Sequence, residues 1–503
     1  MIANRMRSAA SPAVARDVAG MHAAIERFLK ACLRPYLLEP GEELLPLKEG
    51  SYSIDRAESR LTLQAWGDTR NLTRRIVGIG EERRGRMELV VERFARTVGR
   101  MFLLDLAHPD SQEAGRRGGR LVFRERFRRF LTRQFPSWKL AEISAEQDLE
   151  HSLSPGFPRA FLRKGQSGLA AIAATPDGMD PASILSFGLI WLDYLRRREK
   201  KLAIERLIVL LPVGAESVTC QRIPYLDNEQ VKCELFVYSA EDYAVPLDPG
   251  DYGNLETQLD VVRHTSVEAQ GWVDRLKDLP NVECVETNNG STSLRVQGLE
   301  FARTSGNELL FGLQKRAAAR DSNIAEIERL AAELASLRGA AGSPLHQKEP
   351  EEWLASQVRT HLDVVDVALC AAPVYCQAPA CLGGQRGLID LLAIDYTGRL
   401  AVLELKASQD IHLPLQALDY WMRVKWHLDR DEFGSRGYFP GVIPRKEAPK
   451  LLLISPALEF HPTTETILRF FSKDVEVERI GVASGWREKL QVMFRLSGAE
   501  TPF

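Results

Sequence analysis

The sequence predicts an α/β protein of several domains, with one domain type written twice along the chain. Three observations predict it. The chain has 503 residues, more than one ordinary hydrophobic core accommodates. Its 45% hydrophobic and 27% charged residues are values of a globular chain, not a disordered one. Apolar runs of strand length alternate with segments of helical spacing, and the order of these pieces recurs in the second half.

Near the start, Arg60-Leu61-Thr62-Leu63-Gln64 leads through Arg70 to Ile76-Val77-Gly78-Ile79. Downstream, Ser293-Leu294-Arg295-Val296-Gln297 leads through Arg303 to Leu310-Phe311-Gly312-Leu313. Both read as a β-hairpin with alternating apolar positions. A helix is predicted after each, over 87–104 and over 317–337, the latter with Ile324, Ile327, Leu330, Leu334 and Leu337 at helical spacing. Phe130-Leu131 and Trp138 resemble Trp353-Leu354 and His361 in a further helix. Gly165-Gln166-Ser167-Gly168-Leu169 matches Gly384-Gln385-Arg386-Gly387-Leu388, and Leu192-Asp193-Tyr194 matches Leu418-Asp419-Tyr420. The apolar run 207–212 matches 451–456, and Val231-Lys232-Cys233-Glu234 matches Val475-Glu476-Val477-Glu478. Any two α/β domains share pieces of this kind. So many matches in one order point instead to duplication. The expected organisation is a hairpin and helix module over 1–110, a first α/β domain over 111–250, a second such module with a linker helix over 251–345, and a second α/β domain over 346–503.

A net charge of −2 demands no polyanionic partner globally. The seven cysteines form no C-x-x-C pair, and an odd, scattered set suits a reducing cytoplasm. Cys370, Cys376 and Cys381 lie close in sequence without the chelating spacing of an iron–sulfur site. No secretory h-region and no apolar run of bilayer length occurs, so a cytoplasmic protein with no membrane partner is expected. The phosphate loop G-x-x-x-x-G-K-[ST] is missing, and His151, His412 and His461 are scattered rather than set at metal-ligand spacing.

The chemistry concentrates in residues 387–408, GLIDLLAIDYTGRLAVLELKAS. Asp390 lies in one apolar run, the turn Asp395-Tyr396-Thr397-Gly398 follows, and Glu404-Leu405-Lys406 closes the next run. Side chains alternate along a strand, so Glu404 and Lys406 share a face while Leu405 points into the core. An isolated Glu-x-Lys is ordinarily a solvated pair, but Leu400-Ala401-Val402-Leu403 reads as a buried central strand, and charges after such a run need a partner or a task. Two carboxylates beside an ammonium suit Mg²⁺, a hard cation held by one or two carboxylates plus water and phosphate. Asp390, Glu404 and the backbone carbonyl of Leu405 are the candidate ligands, and Lys406 would hold the attacking water and stabilise charge on the phosphate. A lysine so placed is expected to have its pKa pulled down. A helix opens at Pro414, with Gln416 and Tyr420 on one face. Gln416 could bond that water or a metal ligand; Tyr420 fits either phosphate contact or core packing. Glu351 and Glu352 open an earlier helix as ordinary dipole partners, and Glu352 is taken as the one reaching the metal.

This arrangement resembles the PD-(D/E)XK nuclease superfamily, with spacing nearest to the catalytic domain of NucS/EndoMS-type endonucleases. The matching pieces are Asp390-Leu391-Leu392, Gly398, Glu404-Leu405-Lys406 and Gln416 to Tyr420, in that order; Ile389 stands where a proline often precedes the aspartate. The resemblance covers about 350–430 and implies a restriction-endonuclease-like mixed sheet flanked by helices, Mg²⁺ or Mn²⁺, and hydrolysis of nucleic-acid phosphodiesters. In the first-half copy Ala171 aligns with Asp390 and Ile190 with Gln416. No Glu-x-Lys follows there, because Thr175-Pro176-Asp177-Gly178 leads into a helix-like stretch. The N-terminal copy is therefore expected to be degenerate.

Two basic clusters offer phosphate contact: Arg116, Arg117, Arg120, Arg124, Arg126, Arg128, Arg129 and Arg133, then Arg196-Arg197-Arg198 with Lys200 and Lys201. The plainer reading is a solvated helix face with Glu125 as internal partner. Together these features lead to an expected Mg²⁺-dependent DNA endonuclease, its N-terminal half a DNA-binding or dimer-like partner, with a homodimer also open. The alternative is a catalytically silent nuclease-fold DNA-binding scaffold in repair or anti-phage defence. Nothing in these residues separates RNA from DNA.

Overall fold

The structure is a computed structural model describing residues 17–39, 44–57, 60–66, 71–92, 98–108, 123–154, 156–175, 179–239, 244–253, 255, 257–263, 266–287, 290–382 and 385–501. The chain forms two compact units, the first of residues 1–147, 154–164 and 173–178, the second of the remainder. Arg70, Arg116, Arg117, Arg120, Gly384 and 176–178, all used in the sequence reading, lie outside the described residues. The fold is mixed α/β.

In the first unit, α1 (Val18–Ala31) starts at Asp17, whose carboxylate accepts the Gly20 N–H at 2.7 Å. Its buried Met21, Ala24, Ile25 and Leu29 join one core with strands β1 (Pro35–Leu38), β2 (Leu45–Pro46), β3 (Tyr52–Ala57), β4 (Arg60–Trp66), β5 (Asn71–Arg83), β6 (Arg86–Glu92) and β7 (Val98–Asp105). These strands form a sheet ordered β2-β1-β7-β6-β5-β4-β3. The hairpin expected at 60–79 is β4 and β5. The helix expected over 87–104 is instead β6 and β7. Met87, Leu89 and Val91 are buried while their neighbours are not, a period of two that a helix would have scattered round its circumference. A helix, α2, follows over 123–134, with Phe123, Phe127 and Leu131 buried at four-residue spacing. Strands β8 (Lys139–Ser144) and β9 (Arg159–Lys164) then pair antiparallel.

In the second unit the elements are β10 (Ser167–Ala173), α3 (Ile184–Arg198), β11 (Ala203–Pro212), α4 (Ser217–Arg222), β12 (Lys232–Tyr238) and β13 (Ala244–Leu247). Strands β10 to β13 lie side by side in chain order, β11 parallel to β12 and β13 antiparallel to it. Next come α5 (Val267–Leu276) and an antiparallel meander, β14 (Val282–Glu286), β15 (Thr292–Val296), β16 (Leu299–Ser305), β17 (Glu308–Phe311) and β18 (Ala317–Ala318), then α6 (Ile324–Gly339). The helix expected from 317 begins at 324 because Ala317 and Ala318 pair with Phe311 and Leu310. The segments expected to pair directly, 293–297 and 310–313, are separated by β16.

The last part holds α7 (Pro350–Thr360), α8 (Leu362–Val365), β19 (Tyr375–Leu382), β20 (Gln385–Ile394), β21 (Leu400–Leu405), α9 (Leu413–Asp429), α10 (Glu432–Ser435), β22 (Lys450–Pro456), α11 (Thr464–Leu468), β23 (Val477–Val482) and β24 (Val492–Ser497). Its six strands run in chain order. β20 is antiparallel to β19 and β21, β22 is parallel to β21 and β23, and β24 is antiparallel. All six residues of β21 are buried, as its unbroken apolar run requires.

Ala171, matched from sequence to Asp390, lies within β10. Neither β9, Arg-Ala-Phe-Leu-Arg-Lys, nor β10, Ser-Gly-Leu-Ala-Ala-Ile-Ala, carries a carboxylate.

Within the second unit, α3 and α4 pack against α11 and α9. The Arg222 guanidinium donates twice to Asp419, at 2.8 and 2.7 Å, and both side chains are buried. Arg469 stands 3.5 Å from Asp193, the residue matched to Asp419. Leu226 and Phe471 form an antiparallel bridge in which Asp227 N–H donates to Phe470 O and Ser472 N–H to Tyr225 O, each at 2.8 Å.

Candidate active site

The turn Asp395-Tyr396-Thr397-Gly398 is built by Asp395, which accepts the N–H groups of Thr397 and Arg399 at 2.8 and 2.9 Å. Gly398 takes φ +89, and a Cβ there would lie 2.8 Å from Ile443 O, so a side chain fits on neither count. This turn fixes the register Leu391↔Leu403, which sets Asp390 opposite Glu404. Asp390 Oδ2 accepts the Leu405 N–H at 2.8 Å. Lys406 Nζ stands 3.6 Å from Glu404 Oε1 and 3.5 Å from Glu351 Oε2. The three side chains that the sequence places by strand alternation and turn, Asp390, Glu404 and Lys406, thus gather where the end of β21 lies against the middle of β20, and Glu351 joins them from α7.

Their electrostatics follow from burial. Glu404 is 1% exposed, and its Oε2 has no hydrogen-bond partner. Burial, then the Asp390 charge beside it, hold its pKa well above the ordinary value. Burial also raises Asp390, to about 6; the Leu405 N–H and Lys406 oppose this, while Glu351 and Glu352 add to it. Burial works against the charge on Lys406, but Glu404, Glu351 and Asp390 overcome it and the ammonium is held above its usual value. That is opposite to the lowered lysine expected from sequence, because three carboxylates surround it.

The signs give a pH dependence. Folding favours protonated Asp390, whose value moves from 3.8 to about 6. The stability this contributes is complete below pH 3.8 and is lost as pH rises through about 6. The metal-free protein is expected to lose stability across that window, and Asp390→Asn to flatten the loss, read as melting temperature against pH.

On α9, opened by Pro414, Gln416 Nε2 donates to Tyr420 Oη at 3.3 Å. Burial, then Glu404, push the Tyr420 phenol up to about 12, so it stays a proton donor beside the carboxylates. On α7 the two adjacent acids part company. Glu351 reaches Lys406, whereas Glu352 Oε2 accepts from Arg295 at 2.8 Å. A cleft of about 50 Å³ is lined by Glu283, Arg295, Glu351, Glu352, Ser356, Arg359, Cys376 and Asp390. With Glu404 and Lys406 beside it, carboxylates outnumber cationic groups, a balance that suits an added cation. Among the described residues no three His, Cys, Asp and Glu side chains are set so as to hold a metal ion as they stand. Mg²⁺ sites commonly use only one or two carboxylates. The orphaned Glu404 oxygen beside Asp390 fits such an ion.

The remaining candidates sit apart from this group in role. Cys376 is buried, its thiol pushed up to about 11 by burial; the Cys381 side chain lies outside the described ones. Arg124 and Arg128 pair with Glu125 on α2, at 3.8 and 2.8 Å, as the solvated-face reading has it, and Arg129 is exposed on the same helix. Arg196 donates to the carbonyls of Ile204 and Gln230 at 2.7 and 2.6 Å, a structural task, and Arg197 pairs with Asp193 at 2.9 Å. Among the described residues no helix is long and apolar enough to cross a membrane.

No protein-family model matches this chain, and no curated protein resembles it significantly.

Sequence reasoning missed Arg295, Ser356, Arg359 and Glu283, and preferred Glu352 to Glu351. A charged residue between Leu294 and Val296 in a strand is a signal, but its partner lies 57 residues away.

Proposed function

We propose that this chain is a divalent-metal-dependent endonuclease that hydrolyses DNA phosphodiester bonds, its catalytic domain a restriction-endonuclease-like mixed sheet over 346–503. The observation that carries the reading is Glu404: a buried carboxylate with one unpartnered oxygen, opposite a second, partly buried carboxylate and beside an ammonium. The ammonium offsets one of the two charges, and the other is costly there unless a further cation joins the pair. Asp390 and Glu404, with the Leu405 carbonyl, would hold Mg²⁺ or Mn²⁺, which supplies Lewis acidity toward the scissile phosphate and toward bound water. Lys406 orients the attacking water and stabilises the charge that grows on the phosphate oxygens. Glu351 keeps that ammonium charged and aimed. Gln416 and Tyr420 give a donor pair at the edge of the same group, suited to a phosphate oxygen.

The segment 111–250 fits a degenerate copy that keeps the fold and lends DNA contact or a dimer-like partner. Three features support duplication. Strands follow in the same order in both series. The parallel pairs β11–β12 and β22–β23 share one register, Leu207↔Cys233 to Pro212↔Tyr238 against Leu451↔Val477 to Pro456↔Val482. The matched aspartates also meet the other half in the same way, Asp419 pairing with Arg222 and Asp193 with Arg469, as across the twofold of a homodimer.

One carboxylate pair per chain cuts one strand per encounter. With Mg²⁺, closed circular duplex DNA is expected to pass to the open circle before any linear form, and a chelator to stop it. Single-stranded, mismatched and branched DNA and RNA, run alongside, rank the substrates. Binding without any conversion under Mg²⁺ or Mn²⁺ would overturn the proposal in favour of a scaffold.

A further inference from the structure

We infer that the five-stranded module before the catalytic sheet is part of the active site, with Arg295 and Gly298 as positioning residues that set the first turn of α7 against the metal-binding carboxylates. The inference rests on the nuclease reading and adds a working part to it.

Two independent contacts converge on Glu352. The first is the side chain of Arg295, on β15. It is 7% exposed, its Nε donates to Ser293 Oγ at 3.0 Å, and its guanidinium donates to Glu352 Oε2 at 2.8 Å. Ser293 in turn donates to Glu300 at 2.5 Å, so the arginine is fixed from behind. The second is backbone packing. The β15–β16 turn has Gln297 at φ 48 and Gly298 at φ 79, the tight hairpin geometry that asks for glycine. A Cβ on Gly298 would lie 2.2 Å from Glu352 O and 2.6 Å from Trp353 N, so the turn is seated directly on the backbone of α7. Arg338, fully buried, donates to Gln297 O at 2.7 Å and to the carbonyls of Leu345 and Lys348, and lies over the Trp353 ring. It ties the turn to the chain leading into α7. Further along that helix, Glu283 of β14 accepts from Ser356 and from Arg359, at 2.5 and 3.0 Å.

These ties fix the rotation of α7. Adjacent residues on a helix point about 100° apart. With Glu352 drawn to Arg295, Glu351 is the side chain left facing Lys406. Arg295 touches neither substrate nor metal in this scheme. It acts through α7, as partners outside a metal's own ligands do.

The test compares the full-length protein with Arg295→Met, Arg295→Lys, Glu352→Gln and the double variant Arg295→Met/Glu352→Gln. Two readouts are taken: the Mg²⁺ concentration for half-maximal cleavage, and Mg²⁺ binding by calorimetry without DNA. Arg295→Met is expected to weaken Mg²⁺ by about 10-fold in both, with Arg295→Lys recovering part of the loss. The double variant is expected to be no worse than the worse single one, since both act through one link. Gly298→Ala, which leaves every charge in place, is expected to weaken Mg²⁺ as well. Unchanged Mg²⁺ affinity in Arg295→Met and Gly298→Ala, with only a lower melting temperature, would overturn the positioning role while leaving the nuclease reading intact. A wild-type chain that neither binds Mg²⁺ nor cuts would sink both.

Discussion

Asp390→Asn is expected to lower DNA cleavage about 10³-fold or more while leaving the fold in place. The asparagine carbonyl can still accept the Leu405 N–H that Asp390 Oδ2 accepts at 2.8 Å, so the β20–β21 register survives. The substitution removes a charge that burial already disfavours, so the metal-free protein near neutral pH should be no less stable, and more stable above pH 6. What disappears is half of the carboxylate pair. Glu404 alone, buried beside an ammonium 3.6 Å away, is already balanced by that neighbour and has little left for a dication. Loss of cleavage together with unchanged or raised melting temperature separates this from simple unfolding. Undiminished Mg²⁺-dependent cutting would place the chemistry elsewhere in the chain.

Lys406→Met separates the two jobs of the site. The lysine is largely buried between Glu404 and Glu351, and methionine fills a similar volume without charge. Cleavage is expected to fall by about 10²-fold, the scale of losing one stabilising group at the phosphate. Mg²⁺ binding is expected to persist or tighten at pH 8, because the cation no longer shares Glu404 and Glu351 with an ammonium. The two variants thus lose activity for different reasons, one with metal binding and one without. Parallel titrations of Mg²⁺ binding and of single-turnover cutting show the difference. Equal loss of metal binding in both would mean that Lys406 acts only as a structural counter-ion.

Much of this site was legible in the sequence because its geometry is local. Strand alternation, a turn ending in Gly398 and an apolar run too long for an exposed strand are enough to bring Asp390, Glu404 and Lys406 together. The start of α9 at Pro414 and the one-turn spacing of Gln416 and Tyr420 are local in the same way. The errors arose where the answer depends on distant partners. The apolar residues of 87–104 fit either a strand or a helix, and only their sheet neighbours decide between them. Arg295 was invisible as an active-site neighbour because its role is set by the packing of Gly298 against α7, a contact between two elements that sequence spacing cannot join.

In the proposed nuclease, Asp390 and Glu404 share one divalent ion. Crystals soaked in Mn²⁺ and measured at its absorption edge report this directly. The expected result is an anomalous peak bonded to both carboxylates in the wild-type protein and absent in Asp390→Asn. A map without density between those two side chains, or with the ion bound at some other group, would contradict it.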